Sequence, residues 1–168
     1  KEVATFFSGG VDSFYTYLKH KSDTEDQISH FILIRGTDID LGNSALWSVV
    51  RGNVSSIAKQ EGIELIDVET NIQSLLEPIL SPEISHGGTL AAVALCLRSG
   101  LKKVYIPASW SMEDVLSPWG SHPDIDKDWS TEALIFEHDG FESSRVKKVS
   151  QYVGQSSLAL EHLRVCFM

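Results

Sequence analysis

Ser8-Gly9-Gly10-Val11-Asp12-Ser13 is the stretch that decides how this chain is read. An apolar run, Val3 to Phe7, precedes it, and helical spacing from Phe14 to Lys19 follows. The unit therefore reads strand, tight loop, helix. Two glycines let the backbone turn sharply and approach a ligand closely. Successive backbone amides at a helix N-terminus make an anion site, and the Ser8 and Ser13 hydroxyls add donors. Asp12 fits beside phosphates only if a cation bridges them, which Mg²⁺ does through carboxylate and phosphate oxygens. The loop is not a Walker A loop, because no Gly-Lys-Ser/Thr follows, and it lacks GxGxxG spacing. The competing reading is an ordinary strand-to-helix turn in which Ser13 caps the helix.

Working outward, further strands are expected at Phe31–Ile34, Leu65–Val68, Val104–Ile106 and Leu134–Phe136, with a last one at Leu163–Phe167. Between them lie helical segments. Ala45–Glu61 has Gly62 as its stop signal, Ile72–Leu80 is broken by Pro82, and Thr89–Ser99 is strongly apolar and ends at Gly100. Arg145–Tyr152 and Ser157–His162 follow. This alternation implies an α/β fold, an open parallel sheet with helices on both faces and right-handed crossovers. Ligands of such sheets sit outside the C-terminal strand ends. With no repeat or linker, residues 1–168 read as one domain.

Bulk properties narrow the function. The chain carries 14 basic and 23 acidic residues, net −9. Its basic pairs, Lys102-Lys103 and Lys147-Lys148, make no stripe, which argues against non-specific nucleic-acid binding. No run approaches the ~20 apolar residues of a membrane span. Two cysteines are too few for a disulfide framework. Cys96, in an apolar helical run, is expected to be core, and a reducing, cytoplasmic setting follows.

Three other segments carry candidate chemistry. His86-Gly87-Gly88-Thr89 stands before the most apolar helix, where a helix N-terminus would favour an anion or the edge of a nucleotide; a structural cap is the alternative. Ser109–Ser130 is a long loop holding Trp110, Glu113, Asp114, Pro118, Trp119, His122, Asp124, Asp126 and Trp129. Loops of that length are commonly functional. Trp stacks flat heterocycles, and Asp124 and Asp126 suit a purine-like edge or Mg²⁺; the alternative is a packed loop with Asp as turn residues. At the next helix start, Arg145 and Lys148 share one face. They suit a leaving pyrophosphate, or else a solvated helix face.

Ser-Gly-Gly-Val-Asp-Ser at the first strand–helix turn resembles the signature of the PP-loop ATP pyrophosphatases. That resemblance implies ATP and Mg²⁺ as cofactors, adenylation of a carboxylate, release of pyrophosphate, and displacement of AMP by a nucleophile. In this reading Ser8, Gly9, Gly10, Val11, Asp12 and Ser13 cradle the phosphates, with Asp12 close to Mg²⁺ and His86 and Gly87 beside the nucleotide. Arg145 and Lys148 offset transition-state charge.

The chain further resembles the 7-cyano-7-deazaguanine synthase branch, whose substrates are a deazapurine carboxylate and ammonia. Ser121-His122-Pro123-Asp124 is similar to that family's Tyr-Pro-Asp-Cys segment, with His for Tyr and Ile125 for the cysteine. Ser144-Arg145-Val146-Lys147-Lys148 is similar to its phosphate-contacting Ser/Thr-Lys segment. Trp119, His122 and Asp124 are thus the expected acceptor contacts. The family also carries four cysteines that hold zinc. Cys166 stands where the first would be, so zinc is expected only if the natural chain continues past Met168, as the uncapped apolar run at the end suggests. Two other readings stand beside this one: a defence-associated relative conjugating a deazaguanine to a protein, and a nucleotide-binding module without catalysis. The acidic surface and apolar end suggest a homodimer or a protein partner.

Overall fold

The computed structural model of the chain describes residues 1–113 and 119–165. Asp114, Pro118 and Cys166, singled out above, lie outside the described residues. The strands are β1 (Glu2–Phe6), β2 (His30–Arg35), β3 (Glu64–Glu69), β4 (Leu101–Pro107) and β5 (Ile135–Asp139). All pairings are parallel, in the order β3-β2-β1-β4-β5. The helices are α1 (Val11–His20), α2 (Ser44–Glu61), α3 (Ile72–Leu76), α4 (Pro82–Cys96), α5 (Pro123–Asp126), α6 (Arg145–Gln151) and α7 (Ser157–His162).

Side chains alternate across a strand, and both faces of this sheet are apolar. Val3 and Phe7, with Phe31 and Leu33, join a core built with Phe14 of α1, Val54 and Ile57 of α2 and Leu158 of α7. Ala4 and Phe6, with Ile32 and Ile34, join a second core under Leu90, Ala91 and Ala94 of α4. The result is three layers, as the alternation predicts. Phe7 stacks on Phe31 at 4.0 Å between ring centroids and meets Phe14 edge-on at 5.0 Å. Burying each such ring contributes about 1.5–3 kcal/mol, so the strand–loop–helix unit is anchored directly behind the glycine loop.

Several local expectations change. The first helix begins at Val11, with Gly10 in the cap position. Ser13 is therefore not an N-cap; its hydroxyl donates to the Gly10 carbonyl at 2.9 Å. Pro82 opens α4, because its fixed φ suits a first helical position and its missing N–H is not needed there. His86 and Gly87 consequently lie inside α4 and not at its N-terminus. Gly62, in the left-handed region at φ 70°, closes α2 as its spacing requires. Cys96 is exposed, not core. Leu163–Val165 join no strand. Among the described residues no helix is long and apolar enough to cross a membrane.

Candidate functional site

In this strand order β1 lies between β2 and β4, and the chain reverses its direction of travel across the sheet between β1 and β4. The C-terminal strand ends at such a point open into a crevice. Here a cleft of about 410 Å³ lies there. Its walls come from the ends of β1 and β2 (Phe6 to Ser8 and Ile32 to Ile34), from the first turn of α1 (Gly10 to Ser13), and from Thr37, Asp38, Ile39, Pro107 and Ser109. His86 and Leu90 of α4, Arg145, Arg164 and Val165 complete it.

The glycine loop has the form an anion site needs. Gly9 sits at φ +78°, a region that costs other L-residues about 1–2 kcal/mol. This conformation brings the chain straight into α1, whose first amides have no partner within the helix. Phe14 is the first to close a helical bond, its N–H donating to the Gly10 carbonyl at 3.0 Å.

Asp12 projects from that first turn and is gripped by two of the three cations of α6, Arg145 and Lys148. Arg145 Nη2 lies 2.9 Å from Oδ2, and Lys148 Nζ lies 2.9 Å from Oδ1. Lys148 is only 1% exposed, so it is not part of a solvated helix face. Its ammonium also donates to the Ala108 carbonyl and stands 5.5 Å from the Tyr15 ring centroid. A buried charge requires such partners. Arg145 additionally reaches the Ser109 carbonyl at 3.4 Å. The two positively charged groups thus bind one carboxylate of a cleft that the first turn of α1 helps to line. They leave a net positive charge beside the loop.

Asp12 and Asp38 are the carboxylates lining the cleft. Among the described residues no group of three or more His, Cys, Asp or Glu is gathered to hold a metal. Mg²⁺ keeps most of its waters and uses one or two carboxylates plus substrate phosphates, and one or both aspartates fit that need.

His86 reaches the cleft from α4, and burial lowers its pKa, although Asp38 and Asp126 act in the other direction. The lowered pKa favours its neutral form. Its ring lies 5.6 Å from Trp119, which meets Trp110 at 5.9 Å. Gly87 does not line the cleft; it lets another chain segment cross. A Cβ there would stand 2.1 Å from the Gly120 carbonyl oxygen, and one on Gly120 would stand 1.8 Å from that of Ile84.

The expected acceptor contacts fare differently. Trp119 stands behind His86, while His122 and Asp124 are away from the cleft. His122 caps α5, accepting from the Asp124 N–H at 3.2 Å. The Asp124 side chain is 79% exposed and pairs with Lys127. Asp126 is the buried member of the pair at 0% exposure. It accepts from Ser121 at 2.6 Å and meets His138 Nδ1 at 2.6 Å, a network that ties the loop to β5.

The sequence reading missed Thr37, Asp38, Ile39 and Arg164. The first three follow directly on β2, and the rule that ligands sit past parallel strand ends would have found them. No local signal points to Arg164. No protein-family model matches the chain, and no curated protein matches it either.

Proposed function

We propose that the cleft binds ATP and that the chain is an ATP pyrophosphatase-type ligase, adenylating a carboxylate with release of pyrophosphate and then passing the acyl group to a nitrogen nucleophile. One observation carries this reading. The Ser8–Ser13 loop opens at the point where the strand order changes direction, facing a cleft whose Asp12 is held by Arg145, which lines the cleft, and by the buried Lys148. Phosphate oxygens are the natural competitors for those two cations. With the cations taken up by phosphate, Asp12 would be free to hold Mg²⁺, whose charge would offset that of the phosphates.

The apolar walls from Phe6, Ile32, Ile34 and Leu90 suit the adenosine part of the nucleotide. No protein nucleophile is required. The substrate carboxylate attacks the α-phosphorus, pyrophosphate leaves, and ammonia or an amine displaces AMP. The protein contributes positioning and preorganised charge. The acceptor we favour is a deazapurine carboxylate, as in 7-cyano-7-deazaguanine synthesis, with Trp119 and His86 nearest to where it would lie.

The test is incubation with ATP, Mg²⁺, ammonium and 7-carboxy-7-deazaguanine, followed by identification of the nucleotide products. AMP and pyrophosphate are expected, and both should be lost in Asp12→Asn. ADP and phosphate would sink the mechanism. The double occupation of Asp12 favours one other reading, a binding module in which Asp12 never leaves its two cations. ATP bound but unchanged under every acceptor would favour that reading.

A further inference from the structure

We propose that Arg164, carried by the segment that follows α7, is a phosphate-binding residue of the cleft. This rests on the ATP-binding reading above and assigns it a residue from the far end of the chain. Arg164 is held over the glycine loop by its own backbone: its N–H donates to the Gly9 carbonyl at 2.8 Å, and its Cβ lies 3.6 Å from where a Cβ on Gly9 would stand.

The segment is fixed upstream as well. The Asn53 side chain of α2 donates to the His162 carbonyl at 2.8 Å and meets His162 Nδ1 at 2.5 Å, and Leu163 packs on the core beneath α1 and α2. Two anchors therefore place residue 164 within a few ångströms of the loop, and Arg164 is one of the residues lining the cleft.

The charge pattern gives the placement meaning. The chain has an acidic excess, 23 against 14, and most of its basic side chains are met by carboxylates, Arg145 and Lys148 among them. Among the described residues Arg164 has no ion-pair partner, although Asp12 and Asp38 line the same cleft. A partly buried arginine that shares a cleft with the first turn of α1 suits an anion that arrives from solution. Its planar fork matches phosphate oxygens.

The experiment is calorimetric titration of the protein with ATP–Mg²⁺, inorganic pyrophosphate and adenosine, using wild type, Arg164→Gln, Arg164→Lys and, as a control outside the cleft, Arg51→Gln. A hydrogen bond to a charged group is worth roughly tenfold to a hundredfold in affinity. Arg164→Gln is expected to weaken ATP and pyrophosphate by that factor and to leave adenosine unchanged, with partial recovery in Arg164→Lys and none of the loss in Arg51→Gln. Equal ATP affinity in wild type and Arg164→Gln would overturn the assignment while leaving the ATP-binding reading intact. So would a parallel loss of adenosine, which marks a structural role for the segment. Wild type that binds no ATP overturns both readings.

Discussion

Lys148 is 1% exposed, and a buried ammonium persists only where an opposite charge and further acceptors stand against it. Asp12 supplies the charge and Ala108 the further acceptor. The two ends of this pair should therefore respond unequally to mutation. Asp12→Ala strands a buried cation and is expected to cost about 3–5 kcal/mol. Lys148→Met keeps the volume and leaves Asp12 with Arg145, so its cost should stay below about 1.5 kcal/mol. Urea denaturation midpoints check the order, and the reverse order would mean that Asp12 does not hold Lys148. At Gly9, φ +78° makes alanine unfavourable by about 1–2 kcal/mol. Gly9→Ala should also weaken ATP binding, because the first turn of α1 must shift to relieve the strain.

Between elements, α1 is joined to the end of β5 by a polar cluster. Asp139 accepts from Thr16 at 2.8 Å and from Lys19 at 2.7 Å, and it meets His20 at 3.2 Å. Burial alone would raise the Asp139 pKa, but the bonds from His20, Lys19 and Thr16 outweigh it and hold it at about 2. A depressed carboxylate pKa adds stability above its unfolded value of 3.8 and loses it as the pH falls towards 2. About 2 kcal/mol of stability should therefore disappear over that interval. Asp139→Asn, already lacking it, should show a flatter acid limb in urea unfolding. His20 behaves oppositely. Burial lowers its pKa, yet the Asp139 bond outweighs this and leaves it raised. Its contribution is full below pH 6.5 and declines as the pH rises through the folded value. The crossing of α4 and the 120s loop is equally local: Gly120→Ala would drive a Cβ to 1.8 Å from the Ile84 carbonyl oxygen. A loss of about 1–3 kcal/mol is expected, seen as a lowered thermal midpoint.

At the level of the whole molecule, a net charge of −9 repels nucleotides in general, and the cleft's cations must overcome that repulsion. Raising the salt concentration screens both, but the cations lie closer to the ligand. ATP affinity should therefore fall as ionic strength rises. ATP at a hundredfold its Kd should add about 2.7 kcal/mol, or about 5–10 °C in thermal midpoint for a chain of this size. A midpoint indifferent to ATP would contradict binding in the cleft. The features legible along the chain are local ones. Strands β1 to β5, the parallel α/β class and the glycine loop at the first turn are all written in short apolar runs, glycine spacing and residues next to one another, whereas the apolar run from Leu163 misled. Tertiary structure decided the rest. Asp124 and Asp126 look alike in sequence, and only packing exposes one and buries the other. His86-Gly87 looks like a helix start because paired glycines usually end helices, yet Gly87 is needed where Gly120 crosses. Lys148 looks like surface until α6 docks against α1, and Arg164 meets Gly9 across more than 150 residues of chain. Contacts at that separation leave no periodicity to read, because they are set by how the layers close and not by the neighbours of either residue.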